Sequence, residues 1–142
     1  MQAIVEERTI ATSPERVFQA LTQADDIIRW WSEEAITTPE VGSLATFRFR
    51  PPAGTLQFEV AELDAGEKVR WVSRQEPPHW AGTSVTWSLT PVTQGTRVNF
   101  THDGFVEDAN VETVRQNWSH FLDSLKSYLE TGKGAPGVAV VR

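Results

Sequence analysis

The chain has no cysteine. That excludes disulfides, thiolate metal sites and a cysteine nucleophile, and it suits a reducing cytoplasm, the expected location. No run of about 18 apolar residues occurs, so no membrane-spanning helix is expected. The first eight residues lack the basic and then apolar regions of a signal peptide. Positive charge is also scarce: 13 Lys and Arg stand against 19 Asp and Glu, for a net charge of −6. The cations are scattered, which excludes nucleic acid as an expected partner. The chain carries no H-E-x-x-H, G-x-S-x-G or P-loop motif. Its three histidines have no metal-ligand spacing, and neither a metal nor a cofactor is expected. A literal G-x-G-x-x-G runs from Gly132 to Gly137. It follows a helical pattern rather than a strand, and Pro136 stands where a helix should open, which excludes dinucleotide binding. Asn99-Phe-Thr101 and Asn117-Trp-Ser119 match the glycosylation pattern, which carries meaning only in a secreted chain.

What the chain has in quantity is aromatic side chains, with six Trp and seven Phe in 142 residues. The length suits one domain, expected over residues 1–132 with a tail over 133–142, and it is enough to bury a sizeable core without covalent staples. Seven stretches read as short strands. Those placed by alternation are 3–11, 44–50, 55–63, 68–74, 83–90 and 96–103. Within them Phe47 and Phe49, then Leu56, Phe58 and Val60, then Val69 and Trp71, share one face. Val85, Trp87 and Leu89 do the same, followed by Val98, Phe100 and His102. Ser13-Pro14 predicts a helix start, with Thr12 and Glu15 as an alternative capping box. Asp25 or Asp26 is placed to cap a second short helix bearing Ile27, Ile28, Trp30 and Trp31.

The longest pattern comes last. Val111, Val114, Trp118, Phe121, Leu122, Leu125, Tyr128 and Leu129 predict an amphipathic helix over 110–131, their side chains within roughly 120° of arc. Gly132 is placed to end it with a left-handed cap. Such a helix must lay its stripe on the sheet. The expected fold is therefore α+β: a curved antiparallel sheet of about seven strands around a long C-terminal helix, with two short helices after the first strand.

Aromatic faces turned toward one another either fill a core or line a pocket. The candidate lining residues are Trp31, Phe47, Phe49, Phe58, Trp71, Trp87, Phe100, His102, Trp118 and Phe121. His102 is the polar member, and an inward neutral imidazole needs a hydrogen-bond partner or a ligand. Glu62 joins this face unless a β-bulge near Leu63 turns it out. Arg115 reads as a rim residue. His79 and Trp80 lie in the longest loop, placed either to cover a pocket mouth or simply at the surface.

Three stretches carry a family resemblance. They are Arg8 to Thr22 leading to Trp30-Trp31, Val60 to Trp71, and Thr96 to Phe105 followed by the Trp118 helix. In this order the chain resembles the helix-grip proteins of the SRPBCC (START, Bet v 1-like) superfamily, and within it the activator-of-Hsp90-ATPase-homologue-like (AHSA1-like) family. The resemblance covers residues 3–131. It implies a cavity between sheet and final helix that receives small hydrophobic or amphipathic molecules, and no shared catalytic set. A binding protein rather than an enzyme is therefore expected. The alternatives are a protein-interaction module with a chaperone partner, as the family's name implies, and an enzyme using His102 as acid or base. A homodimer, formed through the tail or an open sheet edge, is a further expectation.

Overall fold

The structure is a computed structural model that describes residues 3–50, 54–74, 80–105 and 111–137. The elements run β1 (Ala3–Ile10), α1 (Pro14–Thr22), α2 (Ala24–Trp30), β2 (Glu34–Ile36), β3 (Leu44–Arg48), β4 (Thr55–Asp64), β5 (Lys68–Ser73), β6 (Ser84–Val92), β7 (Gly95–Asp103) and α3 (Val111–Thr131). The strands form one antiparallel sheet in the order β1-β7-β6-β5-β4-β3-β2. The chain thus opens on one edge, crosses to the other through α1 and α2, and meanders back to pair β7 with β1.

This is the expected α+β helix-grip architecture. The strand missing from the alternation analysis is β2, whose three residues are too few to show a period. Ser13 is the N-cap of α1, its hydroxyl accepting from the Arg16 N–H at 3.2 Å. At α2 the cap is Gln23, with no side-chain hydrogen bond, and Asp25 and Asp26 lie inside the first turn. There they meet the positive end of the helix dipole instead of capping it.

Cross-strand pairs bring the apolar residues together on one side. Val60 faces Trp71, Val69 faces Trp87, Trp87 faces Phe100, and Val85 faces His102. The register shifts between Val60 and Glu62, so Ala61 is the extra residue of a bulge. Beyond it Glu62 lies opposite Arg70 and ion-pairs with Lys68 at 2.8 Å, which holds its carboxyl below the usual range. Glu62 therefore belongs to the outer side and has no part in the interior.

The long helix α3 is gripped around most of its circumference. Its apolar stripe faces the sheet, with Trp118, Phe121, Leu122 and Leu125 buried. About 20–100° further round, a polar seam joins it to β1. The Arg8 guanidinium donates to Asp123 at 2.7 Å and to the Ser119 hydroxyl at 2.9 Å, Arg115 pairs with Glu6 at 3.3 Å, and Lys126 donates to the Thr9 carbonyl at 2.8 Å. Arg115, read from the sequence as a rim residue, bridges α3 to β1. On the opposite margin the helix ends at Gly132, in the left-handed region (φ 87°), whose N–H donates to the Tyr128 carbonyl. The following residues then turn back over the helix.

Those residues dock on their own chain. The Ala135 N–H donates to the Ser124 hydroxyl at 2.7 Å, that hydroxyl donates to the Trp30 carbonyl at 2.8 Å, and the Gly137 N–H donates to the Trp31 carbonyl at 2.7 Å. Gly134 is packed so closely that a Cβ there would stand 2.4 Å from the Arg29 carbonyl oxygen. Residues 138–142, the end of the expected tail, lie outside the described residues.

A third network ties the helices together. The Asp26 carboxylate, nearly buried, accepts from Arg16 at 2.9 Å and from the Tyr128 hydroxyl at 2.5 Å. Burial alone would push its pKa up, but those two hydrogen bonds hold it below the usual carboxylate range.

The β6–β7 hairpin depends on one glycine. Gly95 has φ 143°, and a Cβ there would stand 2.2 Å from the Ile10 carbonyl oxygen and 2.8 Å from the Thr12 nitrogen. Those are backbone atoms and cannot swing aside. Gly95→Ala is expected to lower folding stability by about 2–3 kcal/mol, measured by urea denaturation. A loss within 0.5 kcal/mol, about the size of a neutral surface change, would show that the hairpin does not press on the end of β1.

Candidate functional site

The interior is a continuous cluster of rings. Trp31, at the C-terminal end of α2, lies parallel to Trp71 (5.6 Å between centroids, 3° between planes) and to Trp30 on its other neighbour (5.7 Å, 15°). It also meets Phe47 at 4.5 Å, Phe49 at 5.8 Å and Trp118 at 5.3 Å. Trp87 packs edge-on to Phe100 at 4.8 Å and to Trp118 at 6.0 Å. Phe58 lies 5.5 Å from Trp71, and Phe121 lies 5.9 Å from Phe49.

The ten candidate lining residues therefore come together in one place. Nine are buried, and Phe49 is half-buried. They touch one another across the space between the sheet and α3.

His102 projects from β7 into one end of this cluster and is fully buried. The indole N–H of Trp118 donates to its Nδ1 at 3.1 Å. An indole nitrogen can only donate, so Nδ1 must be the unprotonated nitrogen and the proton sits on Nε2. Nε2 lies 2.8 Å from the Thr83 hydroxyl, to which it then donates. Two further rings close over the imidazole, Phe105 at 4.4 Å and Trp80 at 4.8 Å. Desolvation pushes the His102 pKa down to about 3. A base with so low a pKa is poorly matched to proton transfer near neutrality, whereas a neutral ring held at both nitrogens is a good fixed donor and acceptor pair.

Several buried polar atoms have no hydrogen-bond partner among the described residues. They include the Trp87 indole N–H, the Ser73 hydroxyl and the Ser32 hydroxyl. Ser73 shares the inner face of β5 with Val69 and Trp71 and pairs across the sheet with Phe58. Buried polar groups are normally satisfied, so each of these marks a place where a partner would be stabilising.

Three residues of this region, Thr83, Ser73 and Phe105, were not singled out from the sequence, and Trp80, read as covering a pocket mouth or lying at the surface, is buried against His102. Thr83 and Ser73 continue the inward parity of Val85-Trp87 and of Val69-Trp71, so extending the alternation through polar side chains would have found both. Trp80 and Phe105 lie outside the regular strands, where no period exists to place them. His79 lies outside the described residues.

Away from this interior, an open depression of about 360 Å³ is lined by Ile28, Glu33, Arg50, Pro136 and Gly137. Glu33 and Arg50 pair within it at 2.7 Å. Among the described residues no cluster of three or more His, Asp or Glu could hold a metal ion, and no helix is long and apolar enough to cross a membrane.

The buried imidazole makes stability pH-dependent. Its folded pKa lies below the ordinary 6.5, so as pH falls below about 6.5 the unfolded chain takes up a proton that the folded chain refuses. Stability contributed by His102 is full above pH 6.5 and is lost progressively toward pH 3. Between pH 6.5 and 5, where carboxylates remain ionised, the loss is about 2 kcal/mol. Urea denaturation across that range is expected to show this slope, and His102→Gln, although less stable at pH 7, is expected to flatten it. An unchanged slope in the variant would place the titration elsewhere.

Comparison with known proteins gives a consistent picture. The family described as activator of Hsp90 ATPase homolog 1-like protein matches residues 11–130. Among solved structures, the Aha1 dimer of Colwellia psychrerythraea, determined in solution, is 35% identical, with a TM-score of 0.85 over 94% of this chain and 100% of that one. A crystal structure of a Mesorhizobium loti protein is 26% identical, with a TM-score of 0.78 over 90% and 96% of the two chains. The AHSA1-like protein of Aeromonas hydrophila, at 19% identity, shares the fold with a TM-score of 0.76 over 92% and 94%. A comparison with curated proteins gives no match.

Proposed function

Because the chain belongs to the activator of Hsp90 ATPase homolog 1-like family, a group of helix-grip domains, we propose that it works as a binding protein for a small apolar or aromatic ligand held between the sheet and α3. The observation that carries this reading is the pairing of an aromatic interior with orphaned polar atoms. Among the described residues the Trp87 N–H and the Ser73 hydroxyl have no partner, and they stand among rings that a second aromatic molecule would match in shape and polarity. His102, with both nitrogens engaged by Trp118 and Thr83, adds a fixed neutral ring to the same interior. Desolvation would provide most of the affinity. At about 25 cal/mol per Å², burying about 200 Å² of ligand surface contributes about 5 kcal/mol, which corresponds to a dissociation constant of about 0.2 mM. The ligand must therefore be small, and binding must be measured at high probe concentration.

Titration with 1-anilinonaphthalene-8-sulfonate, following energy transfer from the tryptophans, tests this directly. Saturable binding of one probe per chain is expected, with competition by uncharged naphthalene derivatives. Linear, non-saturating signal up to 1 mM, above the affinity argued here, would sink the reading.

A second reading, self-association, is favoured by a separate observation. Ile36, Val41 and Leu44 are each more than half exposed, in the described part of the outer face near the β2 edge. Ile36 pairs with Thr46, and Leu44 is the next residue of β3 on that side, so the two are diagonal neighbours. An apolar patch beside a sheet edge suits association with another copy, and the relative from Colwellia psychrerythraea is a dimer. Light scattering coupled to size-exclusion chromatography is expected to show a dimer that Leu44→Lys with Ile36→Lys converts to monomer. A wild-type monomer at 100 µM, a concentration at which weak specific dimers already form, would remove this reading.

A further inference from the structure

The C-terminal end of α2 has no cap of its own. A helix leaves its last carbonyls without partners inside the helix, and a left-handed residue just beyond the end commonly satisfies them. Here Trp31 and Ser32 follow, and no non-glycine residue among those described has positive φ. The partners come instead from the far end of the chain. The Trp30 carbonyl accepts from the Ser124 hydroxyl, which in turn accepts from the Ala135 N–H, and the Trp31 carbonyl accepts from the Gly137 N–H. Gly134 lies against the Arg29 carbonyl with no room for a Cβ. Arg29, Trp30 and Trp31 thus end under residues 134–137.

This strap is carried by one face of α3. The Lys133 carbonyl accepts from the Ser127 hydroxyl at 2.6 Å, the Ala135 N–H reaches Ser124 at 2.7 Å, and His120 Nε2 lies 3.3 Å from the Ala135 carbonyl oxygen. His120, Ser124 and Ser127 fall within roughly 60° of arc, away from the apolar stripe. Hydrogen bonds hold the strap rather than a buried side chain: Lys133 and Ala135 are exposed, and Gly134, Pro136 and Gly137 are half-buried. Pro136 and Gly137 also border the open depression shared with Ile28, Glu33 and Arg50, so that flank is not packed solid. A segment held in this way opens at a lower free energy than a core strand or helix.

Trp31 is the ring that this end of α2 places between Trp71, Phe47 and Trp118. We propose that residues 133–137 are a latch on the interior: while they lie across α2, Trp31 is held in the stack, and when they lift, the end of α2 frays, Trp31 leaves the stack and an apolar ligand enters beside it between sheet and α3. This rests on the binding reading above and adds the gate of that site. Apparent affinity is then the intrinsic affinity scaled by the fraction of unlatched molecules.

Gly134→Ala tests the latch in the full chain. Gly134 is not among the positive-φ glycines, so the added methyl acts only through the space it takes beside Arg29. Amide exchange is followed by NMR in wild type and variant, and association of 1-anilinonaphthalene-8-sulfonate by stopped flow. In the wild type the Ala135, Gly137 and Trp31 amides are expected to exchange through one shared opening, at lower urea than the β6–β7 ladder. In the variant their exchange should be about tenfold faster or more with the ladder unchanged, and probe association should quicken by the same factor. A Trp31 amide that stays as protected as the ladder while Ala135 and Gly137 exchange freely would overturn the latch and leave the binding reading standing. Faster Trp31 exchange with saturable probe binding at an unchanged association rate would reduce the strap to a cap of α2, and the gate would fall alone. No saturable binding to either protein would overturn the gate and the binding reading together. If the variant does not fold, or keeps its strap amides protected, the wild type decides: one opening shared by the three amides supports the latch, and Trp31 exchange only through global unfolding ends it.

Discussion

Everything else in this molecule is arranged around the insertion of Trp31 between the sheet and the final helix. Its indole lies flat on Trp71 of β5, against Phe47 of β3 and beside Trp118 of α3, while its neighbour Trp30 continues the stack from α2. One side chain thus touches the sheet, the helix pair and the long helix. Aromatic pairs in these geometries contribute beyond their buried area, and here several are shared by a single residue. The backbone at that point is committed as well. The Trp31 N–H donates to the Ile27 carbonyl, and its own carbonyl accepts from Gly137. The end of α2 is therefore pinned from both sides, which sets where the chain enters β2.

Polar contacts do a different job from the rings. The stripe of α3 would tolerate rotation or sliding on a greasy surface. The seam of Glu6, Arg8, Ser119, Asp123 and Arg115 sets its register against β1, because charge-assisted hydrogen bonds are directional and hydrophobic contact is not. Asp26, Arg16 and Tyr128 set the angle of the helix pair in the same way. His102 extends this logic into the core. By accepting from Trp118 it locates α3 along β7, and by engaging Thr83 it anchors the start of β6.

The segment after α3 shows why a tail cannot be read from composition. Ser124 falls about 40° outside the apolar arc of the helix, so by periodicity it should meet water. It is buried because residues 134 and 135 lie over it. Nothing local in Gly-Lys-Gly-Ala-Pro-Gly marks a strap. The glycine at 134 is informative only once the Arg29 carbonyl is seen 2.4 Å from where a Cβ would stand. The bulge at Ala61 sits at the boundary of the same problem: Leu63 hinted at it, but only the pairing of Glu62 with Arg70 fixes which side the carboxylate takes.

By itself, the sequence determined the class of fold, the inward ring faces and the stripe of α3, because two- and 3.6-residue periods are properties of the chain that burial converts into a side. It also determined the end of α3 at Gly132 and the inward aim of His102, since each follows from one residue's stereochemistry or parity, and it narrowed the cap of α1 to Ser13 or Thr12. Only the tertiary structure decided the partners of that imidazole and therefore its tautomer, the burial of Trp80 and Phe105 from connections, the existence of the three-residue β2, and the path of residues 133–137. These are contacts between positions far apart in the chain or outside any repeating element. No period encodes them, and their geometry is set by which surfaces remain uncovered once the strands and helices have packed.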